Sequence, residues 1–499
     1  MTQTLKEFKE YLKTMSYYEH AGNQLYWDMQ TQTPEKGYEN KVNTLTYFSS
    51  QQFKMATAPE YGEMLKKLSE PEEFGQLDDG MKITVKRRLR DYEKFVRVPA
   101  EFHEEMVRER ALAQRAWEKA KRTSDYSLFS PHLEKLIEMT KQMAEYTDPG
   151  KEVYDVLLNE YEEGMDSETI DRLFTEMKEG LRPLVKKILE KPEPDSEIFK
   201  GEYTIHSQKE LGAFLLDYIG FDKEAGVMGE SEHPFTMGFG PKDVRVTNHY
   251  HIDDAIDPMF SIIHEGGHAI FEQGVDEQYE DTDVAQINLL GLHESQSRFF
   301  ENILGRNIHF WEPIYDKVCE YLPKFKEISL EQFEREINHV VPGFIRTASD
   351  EVTYSYHVIL RYEIEKAIFR EGATVEELPK LWNEKMEELL GIVPENDAQG
   401  ILQDTHWAGG SFGYFPTYLL GTIYDGMFLE AVEKELGCVD ELLAQGRIKE
   451  ITKWLGEKIH KNGSMYTSAE VVKNICHSDI SAQPILRHFN AKYGKIYDL

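Results

Sequence analysis

His264-Glu265-Gly266-Gly267-His268 fits the pattern H-E-x-x-H, and its meaning comes from helical geometry. Residues four apart share one face of an α-helix, about 6 Å apart along its axis. Two imidazoles so placed can lean together onto one zinc ion, at roughly 2.0–2.1 Å per nitrogen. Glu265 borders the same face, so its carboxylate reaches a metal-bound water without being a ligand. That is the arrangement of a metal-activated hydrolase. The flanks predict a helix independently: Asp257 as N-cap, Pro258 at the first position, Gly274 as the stop, and Met259, Ile262, Ile263 and Ile270 at helical spacing between them. Gly266 and Gly267 each cost about 1 kcal/mol inside a helix relative to alanine. The pair therefore predicts close approach of a neighbouring backbone, such as a loop or strand lining a cleft. His103-Glu104 is an internal control, because Val107 stands where the second histidine would be.

A third protein ligand is needed, with one position left for water. The next helical stretch, from about 284 to Gly305, carries His293-Glu294-Ser295-Gln296. Adjacent helical residues point about 100° apart, so His293 and Glu294 cannot both be ligands. Glu294 is the choice, with Glu301, two turns on, as the alternative.

The chain has 499 residues, 40% of them hydrophobic and 29% charged, within the ordinary range of a globular protein, and length enough for a large core. A net charge of −33 argues against nucleic acid or an anionic membrane as partner. Three widely spaced cysteines with no C-x-x-C make neither a disulfide framework nor a thiolate metal site, and fit a reducing cytoplasm. The opening MTQTLKEFKEYLK lacks the apolar core of a signal peptide, and no run has the ~18 apolar residues of a spanning helix.

Residues 1–200 read as helix after helix, with apolar stripes at Leu5, Phe8, Leu12 and Met15, and from Ile170 to Ile188 behind an Asp166 or Ser167 cap, Pro183 marking a kink. Trp27-Asp28-Met29, before Pro34 and Gly37, reads as a turn-rich interruption. Lys191-Pro192-Glu193-Pro194-Asp195 is the linker candidate within a single 1–499 domain, between an amino-terminal half (1–195) and the half bearing the metal site (196–499). Asp243-Val244-Arg245-Val246-Thr247 alternates strictly and predicts a strand, either the wall of a cleft beside which a peptide could lie or a solvent-facing hairpin. Ile345–Asp350 opens a further helix. Then 400–418, with His406, Tyr414 and Tyr418 among glycines and aromatics, predicts a mobile or tightly turned loop presenting donors for an oxyanion. The last hundred residues read as helical and carry no motif.

HPF at 233–235, DVRVT at 243–247, HEGGH at 264–268, HESQ at 293–296, IRTASD at 345–350 and GILQDTHW at 400–407 together resemble, in order, the signatures of the thermostable cytoplasmic metallocarboxypeptidases, family M32. Ser349 departs from the family's I-R-x-x-A-D. The resemblance implies a mostly α, clamp-like fold with a deep groove and a small β-sheet beside the H-E-x-x-H helix. It implies a homodimer that removes single residues from peptides with a free C-terminus. It further implies one zinc ion per subunit (cobalt also accepted) on His264, His268 and Glu294, Glu265 as general base and acid, His406 with Tyr414 or Tyr418 at the oxyanion, and a substrate contact from His233. An exopeptidase needs a cation for the terminal carboxylate; Arg346 leads, and Arg298 is second, with an ion pair beside the metal as its other reading. The alternative functions are a groove-bound oligopeptidase of the same chemistry and an inactive helical scaffold that keeps a structural metal.

Overall fold

The computed structural model describes residues 1–193 and 196–499; Pro194 and Asp195 of the linker candidate lie outside them. Helices dominate, and one three-stranded sheet is set among them. The apolar stripes behave as their spacing predicts. Leu5, Phe8 and Leu12 pack with Tyr61, Leu65, Leu68 and Met81 in a small amino-terminal core, while Ile170 to Ile188 joins the large core that runs on to Tyr497. Asp166 caps the latter helix, Ser167–Ile188, by accepting from the Thr169 N–H at 2.8 Å, and the helix runs through Pro183. The 27–29 interruption is overturned. Helix Gln3–Thr31 continues through it, because Trp27 is buried and gives the helix a tertiary anchor, and the break falls after Thr31.

The sheet order is β1 (Gly226–Glu230), β3 (Val244–Asn248), β2 (Thr236–Gly238), with β1 parallel and β2 antiparallel to β3. The predicted strand is thus β3, and it is central, so it is neither a cleft wall nor a solvent-facing hairpin. Val244 and Val246 enter the large core. Its polar face is covered as well: Thr247 Oγ1 accepts from the Phe235 N–H at 2.9 Å and from Ser231 Oγ at 2.6 Å, and Arg245 pairs with Asp243 beneath the rings of Trp27 and Phe239. The edge strand β2 faces the cleft instead.

Helix Ile256–Gln273, the histidine helix, starts two residues earlier than expected. Asp254, not Asp257, caps it, accepting from the Ile256 N–H at 2.7 Å. Gly274 ends it with φ −80°, so this stop uses no left-handed residue. The two glycines have different neighbours, and neither is a loop or strand. A Cβ on Gly266 would meet Ile219 and Leu216 side chains of helix Ile205–Ile219, at 2.6 and 2.8 Å. A Cβ on Gly267 would lie 2.7 Å from Gln296 O and Ser297 Cα, the backbone of helix Leu290–Arg298. That second, glutamate-bearing helix begins at Leu290 rather than near 284 and continues as a π-helical turn, Phe299–Leu304.

Candidate metal centre and its cavity

The close approach at Gly267 sets the two helices at the distance a shared ion needs. Ligand atoms of His264, His268 and Glu294 all lie within 4.8 Å of one another. Glu294 Oε2 is 3.8 Å from His264 Nε2 and 3.6 Å from His268 Nε2. In a tetrahedral site with bonds of 2.0–2.1 Å, ligand atoms stand roughly 3.4 Å apart, so the two histidine–glutamate separations need only a slight contraction. The outer atoms fit too. His264 Nδ1 is 2.9 Å from Glu301 Oε2, which turns Nε2 toward the triad, and Glu294 Oε1 accepts from Arg298 Nε at 2.8 Å, which leaves Oε2 for the ion. A carboxylate behind a ligating imidazole fixes its tautomer and raises its basicity.

Glu301, the alternative ligand, is therefore the partner of His264, carried to its place by the π-helical turn; such turns recur at functional sites. Burial pushes its carboxyl up, but the hydrogen bond to His264 and the charges of His264, Arg306 and Arg298 bring it down to about 2. His293 stays out of the triad. It stacks on His268 with ring centroids 4.4 Å apart and meets Glu272 Oε1 at 3.1 Å. Arg298 borders the cavity too, with its Nε bonded to Glu294 and its guanidinium over the Tyr354 ring at 3.9 Å.

The triad lies on the wall of a cavity of about 640 Å³. Glu265 lines it, buried, with its carboxyl raised by that burial, and Thr236 of β2 donates to its Oε2 at 2.7 Å and to its carbonyl at 3.0 Å. Nothing local in the sequence signals this contact, which spans 29 positions. On the opposite wall stand Tyr414, Tyr418 and Arg346. Arg346 lies in a short 3₁₀ turn, Arg346–Ala348; the helix expected from 345 begins only at Tyr354, after Asp350 has capped the turn. Arg346 Nε and Nη2 donate to Asp404 Oδ1 at 3.0 and 2.9 Å, and Nη1 donates to the Tyr354 hydroxyl at 2.9 Å. Arg361, fully buried, holds the other Asp404 oxygen. Burial opposes ionisation of Asp404, yet the two guanidiniums hold it well below the usual carboxylate range. One carboxylate between two arginines leaves a positive charge at this wall. Ser349 lines the cavity with its hydroxyl bonded to the Ile345 carbonyl at 3.0 Å, so the departure from alanine is accommodated locally.

Two expected residues are elsewhere. His233 is exposed and does not border the cavity; its carbonyl, accepting from Ser231 Oγ at 2.6 Å, is the part that the fold uses. His406 lies behind the wall, under Phe415 at 4.4 Å between ring centroids, and its Nε2 is 3.2 Å from the Tyr418 hydroxyl. Burial brings its pKa down to about 4, with Arg346 and Arg361 adding to the effect, so the ring is neutral. It touches the tyrosine, not the cavity. The 400–418 segment is tightly turned, with Gly410 and Gly413 at φ +73° and +85°, and the wall continues into helix Pro416–Leu436. This helix, from the region without motifs, backs the centre: a Cβ on its Gly421 would come 3.0 Å from Gly291 O and Ser295 N of the glutamate helix, and its Asp425 accepts from Ser295 Oγ at 2.7 Å.

Comparison with known proteins agrees with this geometry. The description Carboxypeptidase Taq (M32) metallopeptidase covers residues 7–493. The chain is 40% identical over 494 residues to carboxypeptidase 1 of Bacillus subtilis, covering 99% of this chain and 98% of that one. It is 35% identical over 506 residues to thermostable carboxypeptidase 1 of Thermus thermophilus, covering 99% and 98%. The solved structure of the Pyrococcus furiosus carboxypeptidase superposes with a TM-score of 0.94 at 34% identity, over 99% of each chain.

Proposed function

The chain belongs to the carboxypeptidase Taq (M32) metallopeptidase family, and from that premise we propose how its own residues carry the reaction. It is a metal-dependent carboxypeptidase, a peptide hydrolase. In our reading it removes single residues from peptides with a free C-terminus, with broad preference. The observation that carries the reading is the convergence of His264, His268 and Glu294 beside the buried Glu265 on one cavity wall.

His264, His268 and Glu294 hold one divalent ion; imidazole and carboxylate suit zinc and accept cobalt. When bound, the ion supplies Lewis acidity and a water whose pKa is lowered toward ~7. Glu265, steadied by Thr236, takes the proton as the water oxygen attacks the last peptide carbonyl. It returns that proton to the leaving nitrogen as the C–N bond breaks. Tyr418, oriented by His406, and Tyr414 beside it donate to the oxyanion. The positive charge shared by Arg346, Arg361 and Asp404 supports Arg346 as the anchor of the terminal carboxylate, whereas Arg298 is assigned to Glu294. Among the described residues no helix is long and apolar enough to cross a membrane. Three cysteine thiols support a cytoplasmic setting, and sedimentation tests the homodimer that the family reading carries.

Mass spectrometry of a mixed peptide pool, with and without chelator, tests the reading. Single-residue shortening from the C-terminus that chelator abolishes is expected. Equal cleavage of C-terminally amidated peptides would overturn the carboxylate anchor and favour an oligopeptidase.

A further inference from the structure

Glu365 is a fully buried carboxylate, bonded into the turn that leads to the tyrosine wall, that the reaction as described does not use. It lies on helix Tyr354–Lys366, has no exposed surface, and accepts three hydrogen bonds from neutral donors. Trp407 Nε1 donates to Oε1 at 2.8 Å, while the Tyr154 hydroxyl and the Gly413 N–H donate to Oε2, each at 2.9 Å. An ionised carboxylate accepts only, so three donors and no acceptor suit the charged form. Charge-assisted hydrogen bonds of this kind are roughly twice as strong as neutral ones.

The two loop contacts are placed one residue from His406 and one residue from Tyr414. Trp407 follows His406, whose Nε2 is 3.2 Å from the Tyr418 hydroxyl. Gly413 precedes Tyr414, whose ring packs against that of Tyr418 with centroids 5.4 Å apart. Gly413 is packed against the Leu157 backbone: it sits at φ +85°, and a Cβ there would lie 2.7 Å from the Leu157 carbonyl, so only glycine fits. Glu365 thus closes the turn 407–413 from inside, tying both ends to one side chain on a different helix. No bond from it reaches His264, His268 or Glu294.

We infer that Glu365 is a positioning residue for the oxyanion wall, its two oxygens clamping Trp407 and Gly413 so that Tyr414 and Tyr418 are aimed at the reacting carbonyl. This rests on the proposed role of the two tyrosines. A misplacement of about 1 Å can cost about 10²-fold in rate, while ground-state binding and the metal site are left alone.

The test measures kcat, KM and bound metal for Glu365→Gln and Tyr154→Phe, each alone and combined with the double variant Tyr414→Phe/Tyr418→Phe. Glutamine turns one acceptor oxygen into a donor facing a donor, and is expected to lower kcat by about 10–100-fold with KM and metal content unchanged. Tyr154→Phe removes one of three donors, at a distance from the tyrosines; it is expected to lower kcat by about 3–5-fold, the equivalent of one net hydrogen bond, and it decides the matter if Glu365→Gln does not fold. In the double-tyrosine background neither change should cost more. A full, multiplicative loss in that background would overturn the inference, as would unchanged kcat in both variants. The tyrosine reading fails separately, on wild-type kcat in the double-tyrosine variant alone.

Discussion

The two walls of the cavity are built by opposite means. On the histidine helix, apolar packing sets the backbone: Ile262, Ile263 and Phe271 are buried, Gly267 lets the next helix within touching distance, and single contacts from Glu301 and Thr236 then orient His264 and Glu265. On the tyrosine wall, buried polar groups do the positioning. Glu365 holds the turn, Asp404 holds Arg346 and Arg361, and His406 meets Tyr418. A helix imposes a register on its side chains, so two histidines four apart arrive together. A loop imposes none, and each of its donors must be tied down by a tertiary partner.

Variants can break that comparison. The largest effect is expected at Glu265→Gln, on the histidine helix: a fall in kcat/KM of about 10³–10⁴-fold with the metal retained, checked by peptide turnover and metal analysis on one sample. Loss of metal instead would make Glu265 part of the ligand set. Tyr418→Phe, across the cavity, is expected to lower kcat by about 10²-fold with metal affinity unchanged, and a change in metal affinity would show that the walls are not independent. Gly267→Ala sharpens the packing side of the contrast. Its Cβ meets backbone, which cannot swing aside, so the helices must part. A stability loss of about 1–3 kcal/mol and weaker metal retention against a chelator are expected, while the same substitution at Gly266 meets only the ends of Ile219 and Leu216 side chains and should cost less.

The smallest effect concerns pH. Burial lifts the Glu365 carboxyl to about 7, against the lowering influence of Trp407, Gly413, Tyr154 and Arg361. A carboxyl raised on folding contributes stability that is full below its unfolded pKa, near 4.5, and is lost as pH rises through about 7. The melting temperature of the wild type should therefore fall relative to that of Glu365→Gln between pH 5 and 8. A constant gap would mean that Glu365 holds the same charge throughout.

The contrast also explains what could be read in advance. The convergence of His264, His268 and Glu294 was legible because two histidines four apart share a helix face and a carboxylate follows on the next helix. Glu301 was visible as a carboxylate, yet its partnership with His264 depends on a π-helical turn, which no residue between 299 and 304 announces. Thr236, Asp425 and Glu365 reach their partners across 29, 130 and 42 or more positions. His233 and His406 had the right side chains for the task, but the fold leaves His233 exposed and packs His406 under Phe415 behind the wall.

By itself the sequence determined most of the helices, the strand near 243–247, the candidate triad and the family, because each rests on local periodicity or on motifs in order. Tertiary structure alone decided which strand faces the cleft, which arginine is left with charge to offer, and what holds the tyrosines. Those depend on which buried polar groups find partners far along the chain, and the cost of leaving a buried donor or acceptor unpaired, about 1–3 kcal/mol each, is settled only when the whole core closes.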